Sequence, residues 1–347
     1  MTLSRPTKLW FDTHYDSQSS GLYCIEQIKE RVLDDENATE VRNWRDADLV
    51  HLNTIPFRRR DLGVWWSSKP MVVTQHGGYH WWRSRRELLA RPDHRIFALM
   101  RAIFRVTSRR PQRIGFSTEY TRRLAVDRGG VPAERTQVIP LGRNESYRDR
   151  EPTATEDPFV LVVVNNRNPR KNVPTIVETM AEMPDVRFVL PGKMWGEYPD
   201  ELPDNAEVTG YVSEEELIGY YNRAAALYLP TLYEGFGLPF VEAMACGTAV
   251  VTTERGSPLE VCGDAAAYVE DPMDAREHAA LLRRLIMDDE YRGELEARGI
   301  ERADDFSWRK TADAYLDAYD EVLYGESRGD AAGHDEPLAG RSRADSE

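Results

Sequence analysis

Residues 233–247 read YEGFGLPFVEAMACG and hold two carboxylates, Glu234 and Glu242, on either side of a glycine turn. Gly235 and Gly237 let the backbone pass close to a ligand. Pro239 suits the first turn of a helix, where its missing N–H costs nothing. A helix begun this way offers free amides and a positive dipole end, a natural seat for an anion and most simply for phosphate. Glu242 would lie about one turn into that helix, within reach of hydroxyls near the phosphate, and Glu234 just ahead of it. A carboxylate that accepts from two sugar hydroxyls orients a carbohydrate through charge-assisted bonds. Taken singly, either glutamate reads equally well as a solvated side chain; the whole string does not.

Three other stretches carry chemistry. In VVVNNRNPRKNVP, residues 162–174, a buried strand ends in Arg167, Arg170 and Lys171 before a helix begins. Cations there can neutralise a departing diphosphate; the bland alternative is a solvated basic turn. In TQHGGYHWW, residues 74–82, a strand ends at His76 ahead of two glycines, with His80 as a competitor. A lone histidine of this kind is often structural. SQSSGLY, residues 17–23, places Gly21 in a small-residue loop after the first strand, a weaker signal. In TGYVSEEEL, Gly210 marks a turn, and Ser213 with Glu216 forms a capping-box pattern that needs no functional explanation.

These residues are positioned by two successive runs of alternating strands and helices. Strands are expected at 8–12, 48–53, 71–76, 113–118 and 136–140, with helices at 21–33, about 84–105 and 119–127. A polar segment with two prolines, RDREPTATEDP, reads as a linker. The pattern then restarts with the strand FVLVVV and continues to the strand TAVVT, and two long helices at 274–287 and 307–324 close the fold. The expected architecture is α/β, with two Rossmann-like parallel-sheet domains facing across a cleft. Its parts are an N-terminal domain (1–147), a linker (148–158), a C-terminal domain (159–306), a C-terminal helix (307–324) and a disordered polar tail (325–347).

Residues 230–266, PTLYEGFGLPFVEAMACGTAVVTTERGSPLEVCGDAA, resemble the signature of the retaining glycosyltransferases of the glycosyltransferase family 4 (group 1) type. The hallmark is Glu-x7-Glu, matched by Glu234 and Glu242. The resemblance spans the second domain nearly end to end and the first more loosely. It implies a GT-B enzyme that uses a nucleotide-diphosphate sugar. Glu234 would be a donor-sugar ligand at the reacting centre and Glu242 a ribose ligand. Gly235, Phe236 and Gly237 would offer backbone amides, Arg167 and Lys171 would stabilise the leaving diphosphate, and His76 would lie near the transferred sugar. The spacing here is Arg-x3-Lys, where Arg-x4-Lys is commoner, so Arg170 could share that role. Gly210 falls in the nucleotide-base region and Gly21 in the loop that approaches the diphosphate or acceptor. The implied reaction retains the anomeric configuration and needs no protein base, because a leaving phosphate oxygen can take the proton. The acceptor would be a sugar or a lipid-linked glycan. Rival expectations are a GT-B epimerase or phosphorylase, and an inactive scaffold that binds sugar nucleotides.

Composition bounds the partners. A net charge of −14 argues against a general nucleic-acid binder. Three cysteines without zinc-ligand spacing argue against a cysteine metal site, and no Asp-x-Asp motif follows a strand, so no metal or other cofactor is expected. No apolar run approaches a membrane span, and the N-terminus lacks a signal-peptide core, so a cytoplasmic location is expected. Residues 79–150 nevertheless contain 17 arginines, no lysine and 7 acidic residues. Segment 80–110 mixes those arginines with Trp, Phe, Leu and Ile, which fits peripheral attachment to an anionic membrane or, alternatively, an ordinary domain helix.

Overall fold

The computed structural model describes residues 1–13, 20–54, 62–77, 95–148, 158–166, 168–197 and 202–325. The N-terminal half runs β1 (Thr7–Phe11), α1 (Ser20–Val32), β2 (Ala38–Glu40), β3 (Leu49–Leu52), α2 (Leu62–Trp65), β4 (Met71–Gln75), α3 (Arg95–Thr107), β5 (Arg113–Phe116), α4 (Glu119–Asp127) and β6 (Thr136–Val138). Its strands form one parallel sheet in the order β2-β1-β3-β4-β5-β6. The C-terminal half runs β7 (Phe159–Leu161), α5 (Val173–Ala181), β8 (Arg187–Pro191), β9 (Ala206–Gly210), α6 (Glu214–Tyr221), β10 (Ala226–Leu229), α7 (Leu238–Ala245), β11 (Val250–Thr253), α8 (Ser257–Cys262) and β12 (Ala266–Val269). Three helices follow: α9 (Ala275–Met287), α10 (Asp289–Ala303) and α11 (Trp308–Tyr324). This second sheet is also parallel, in the order β12-β11-β10-β7-β8-β9.

Strands β3, β4, β10 and β11 are buried at every position. Helices cover both faces of a parallel sheet, which is why these strands read as continuous β-branched and apolar runs. The order of the second sheet is that of the dinucleotide-binding fold, reversing between β7 and β10; the first reverses between β1 and β3. Ligands of such sheets sit beyond the strand ends at the reversal. The reversals place the segments after β7 and β10 side by side, and likewise those after β1 and β3.

The last helix returns to the first domain. Gly142 passes so close to Trp308 that a Cβ would lie 2.0 Å from its backbone nitrogen, and the Thr311 hydroxyl donates to the Pro140 carbonyl at 2.8 Å. Buried His51 joins the first sheet to this helix. Its Nδ1 accepts from the Tyr319 hydroxyl at 2.5 Å, and its Nε2–H donates to Thr74 Oγ1 at 2.7 Å. Thr74 in turn donates to the Tyr315 hydroxyl at 2.6 Å. Burial pushes the His51 pKa down to about 3, which keeps the ring neutral.

Some expected boundaries shift. The strand expected over FVLVVV is regular only at Phe159–Leu161, with Val162 N–H still bonded to the Val189 carbonyl. Three helices, not two, close the fold: α10 was not foreseen, because DEYRGELEARGIERA is mostly charged and buries only Leu295, Gly299 and Ala303. Helix α8 and strand β12 were also unforeseen. Of the expected helix 84–105, the described part is α3, and most of the linker and the tail after residue 325 lie outside the described residues.

Candidate active site

The segment after β7 folds as a short 3-10 turn over Pro169–Lys171, capped by Asn168. Asn172 follows in the left-handed conformation at φ 55°, with its Nδ2 donating to the Pro272 carbonyl at 2.6 Å. The neighbouring loop after β10 holds this turn: Leu232 N–H and the Thr231 hydroxyl both donate to the Arg170 carbonyl, at 2.7 and 2.9 Å. Two segments far apart in sequence thereby become one surface.

On that surface Glu234 is buried between two cations. Lys171 Nζ lies 2.5 Å from Oε1 and Arg170 Nη1 lies 2.6 Å from Oε2. The Thr231 hydroxyl adds a contact to Oε1 at 3.3 Å. Burial alone would raise the Glu234 carboxyl, but Lys171 and Arg170 outweigh it and hold it below its ordinary value. Two cations against one carboxylate leave the triad with a net positive charge, suited to a diphosphate. Arg167 lies outside the described residues.

Gly235 faces the other domain. A Cβ there would lie 2.2 Å from the His76 carbonyl oxygen, so only glycine fits. Gly77, at φ 112°, meets Tyr233 and Gly235 from the opposite side. Phe236 is buried and packs edge-on against Phe306 at 5.4 Å. Gly237, at φ 93°, caps α7, and Pro239 lies in its first turn.

His76 follows β4. Its Nε2 is hydrogen-bonded to Asn53 Oδ1, while Asn53 Nδ2 donates to the Gly21 carbonyl at 2.7 Å. Because Oδ1 only accepts, the His76 proton sits on Nε2 and Nδ1 keeps its lone pair. Loss of hydration pushes the His76 pKa down to about 4, so the ring is neutral near pH 7. Gly21 joins the site through this carbonyl; a Cβ on it would meet only ordinary contacts, the nearest at 3.4 Å. His80 lies outside the described residues.

Glu242 sits apart from the triad. The Tyr221 hydroxyl donates to its Oε2 at 3.0 Å. Burial pushes its pKa up to about 7, with Tyr221 opposing and Glu214 adding to the rise. Gly210 takes φ 73° at the end of β9, with open space where a Cβ would stand. Ser213 and Glu216 form the reciprocal capping box of α6. The structure therefore gathers Glu234, Lys171, Arg170, Gly235 and His76 at one seam, with Gly21 joined to His76 through Asn53. Asn53, Ser117, Thr118, Ser257 and Glu260 also meet at this seam, and sequence reasoning missed them all. Asn53 and Ser117 follow strands, Thr118 caps α4, and Ser257 and Glu260 lie on the short helix α8; single polar residues at such places carry no spacing signal of their own.

Residues 145–302 match the family model of glycosyl transferases group 1, and residues 31–147 match that of glycosyltransferase family 4. Among curated relatives, the O-antigen chain mannosyltransferase B of Escherichia coli is 41% identical over 110 residues, which is 32% of this chain and 29% of that protein. The chain thus spans 29% of the length of that relative and between 15% and 31% of the other Escherichia coli mannosyltransferases it matches. The MMP alpha-(1->4)-mannosyltransferase of Mycolicibacterium hassiacum is 28% identical over 307 residues, 80% of this chain and 71% of that protein. Among solved structures, Anabaena Alr3699/HepE in complex with UDP and glucose superposes with a TM-score of 0.72 at 15% identity, covering 90% of this chain and 99% of that one. With two parallel-sheet domains, the paired glutamates at the second sheet's switch region and both family models side by side along its length, the chain belongs to the group 1, family 4 type glycosyltransferases of the GT-B fold.

Proposed function

We propose that the protein transfers a hexosyl group, with retention and without a metal, from a nucleotide-diphosphate sugar to a sugar or lipid-linked glycan acceptor. The observation that carries this is the buried Glu234–Lys171–Arg170 triad at the C-terminal switch region, facing His76 of the other domain. Lys171 and Arg170, with the start of α7, supply the positive charge that a departing diphosphate requires. Glu234 and His76 Nδ1 are acceptors for sugar hydroxyls, and Glu242 is the acceptor for ribose. The mannosyltransferase relatives make nucleotide-linked mannose the first donor to test.

The test is a thermal-shift and turnover screen against nucleoside diphosphates and their sugars, with and without EDTA, since a bound ligand raises the melting point by mass action. A nucleotide shift together with EDTA-resistant transfer and a retained anomeric product is expected. Binding without any turnover would overturn the transferase reading.

The same proposal places the enzyme at the cytoplasmic face of an anionic membrane. On α3, Leu99, Ile103 and Val106 are exposed along one face while Phe104 is buried, and Arg101 and Arg105 lie on the same helix. A stripe of this kind suits the boundary between headgroups and acyl chains. Sedimentation with anionic but not neutral vesicles is expected, and its loss in Leu99→Asp/Val106→Asp checks it.

A further inference from the structure

The glycine turn that carries Gly235 is held across the domain seam by groups that neither the paired glutamates nor the cations account for. Ser117 and Thr118, which link β5 to α4 in the first domain, both reach the Gly235 carbonyl at 3.1 Å. Ser257, on α8 of the second domain, reaches the Glu234 carbonyl at 2.9 Å and the Gly235 carbonyl at 3.1 Å. A carbonyl oxygen has two lone pairs and each hydroxyl one proton. The arrangement that satisfies every group has Ser117 and Thr118 donating to Gly235 and Ser257 donating to Glu234. In a trans peptide the N–H points opposite to the C=O of the same plane. Fixing these two carbonyls therefore aims the amides of Gly235 and Phe236 away from the hydroxyls.

The first-domain donors are themselves held from the second domain. The Glu260 carboxylate, one turn beyond Ser257, accepts the N–H groups of Glu119 at 2.6 Å and Tyr120 at 2.9 Å. Thr118 caps the Thr121 N–H, so the start of α4 is satisfied from both sides of the seam. The Tyr120 ring fills the space where a Cβ on Gly256 would lie, 2.8 Å away. Helix α8 is anchored in turn by Arg302 of α10, which donates to the carbonyls of Glu260 at 2.8 Å and Val261 at 3.0 Å.

We infer that Glu260, Ser117, Thr118 and Ser257 are positioning residues that form a clamp across the seam. The clamp turns the Gly235 and Phe236 amides toward the donor, so that the donor site is complete only when the two domains are closed. The inference rests on the nucleotide-sugar reading above. It separates two functions of one site: ribose is held by the second domain alone, whereas the amides are aligned only by contact with the first.

The experiment uses the full chain with Glu260→Ala, Ser117→Ala/Thr118→Val and the conservative Thr118→Ser. The first two are expected to lose about tenfold or more in kcat, the scale of a misaligned or lost amide donor. Donor KM and nucleoside-diphosphate affinity should stay within about threefold, because Glu242 is untouched. Thr118→Ser should keep kcat within about twofold, since it retains the hydroxyl. Wild-type kcat in Glu260→Ala and the double variant would overturn the inference, as would a loss confined to KM. Amide hydrogen exchange reads the clamp without turnover. Faster exchange at Glu119 and Tyr120 in Glu260→Ala is expected, with nucleotide-sugar protection of Gly235 and Phe236 lost in the double variant; unchanged exchange overturns the clamp. Absence of turnover in the wild type overturns the transferase reading instead, and exchange still decides the clamp.

Discussion

Lys171 Nζ lies 2.5 Å from Glu234 Oε1, joining residues 63 positions apart in the chain. The contact exists because β7 and β10 are neighbours in the sheet, so the loops that follow them meet at the switch region. Both partners are buried, at 8% exposure each, and Arg170 completes the arrangement.

Removing the ammonium should therefore cost stability as well as turnover. Losing one partner of a buried pair costs about 3–5 kcal/mol when nothing compensates. Arg170 still pairs with Glu234 in Lys171→Met, so a loss of about 2 kcal/mol is expected, with kcat reduced about a hundredfold. The pH dependence has a definite sign. The folded-state pKa of Glu234 is depressed, so its stabilisation is present above the unfolded value of 4.5 and is lost as pH falls through the lower folded value. Denaturant melts from pH 6 to pH 3 should show a shallower acid loss in Lys171→Met than in the wild type. Equal slopes would contradict the pairing.

Glu242 has the opposite sign. Its folded pKa is raised from 4.5 to about 7, so its contribution is fully favourable below 4.5 and is lost as pH rises through 7. Glu242→Gln should raise the melting temperature of the ligand-free protein at pH 8 by a few degrees and less at pH 5. On the proposed reading, in which Glu242 is the acceptor for ribose, the same change should weaken nucleoside diphosphates about tenfold or more by removing a charged acceptor. In the wild type, binding below pH 7 should release protons, measurable by calorimetry in buffers of different ionisation enthalpy. A variant that is both less stable at pH 8 and unimpaired in binding would contradict this.

Asn53 holds His76 in one tautomer and ties it to the Gly21 carbonyl. On the proposed reading, which puts His76 at the sugar end of the donor, Asn53→Ala should lower kcat about tenfold while leaving nucleoside-diphosphate affinity within about twofold. Steady-state kinetics beside equilibrium titration separates the two. An equal loss in both would place Asn53 outside this role.

Two glycines of the site should behave differently. Gly235→Ala drives a methyl to 2.2 Å from the His76 carbonyl and should abolish transfer. Gly21→Ala meets neighbours no nearer than 3.4 Å and should keep activity within a few-fold. Parallel assays of the two variants, with melting curves to confirm folding, check the contrast.

Much of the fold was legible because its signals are local. The buried strands of parallel sheets show as β-branched runs, and the Ser213–Glu216 capping box spans a single turn. The helix start at Gly237 and Pro239 is likewise written in adjacent residues. Helix α10 was not legible, since apart from Leu295 its buried positions are the small residues Gly299 and Ala303. A Cβ on Gly299 would lie 3.3 Å from Met244, a close fit that leaves almost no apolar pattern behind.

The sequence by itself determined most of the two runs of alternating strands and helices, though not α8, β12 or α10, together with the paired glutamates around a glycine turn and the cations at a strand end. Each depends on residues within a turn or a strand of one another. Only the tertiary structure decided that Arg170 and Lys171 both grip Glu234, and that Asn53 sets the His76 tautomer. The same holds for Glu260 reaching across the seam to α4. These contacts join segments brought together by strand order and domain packing. The shifts at Glu242 and His76 arise from burial, which is set by all the surrounding atoms and by no short stretch of chain.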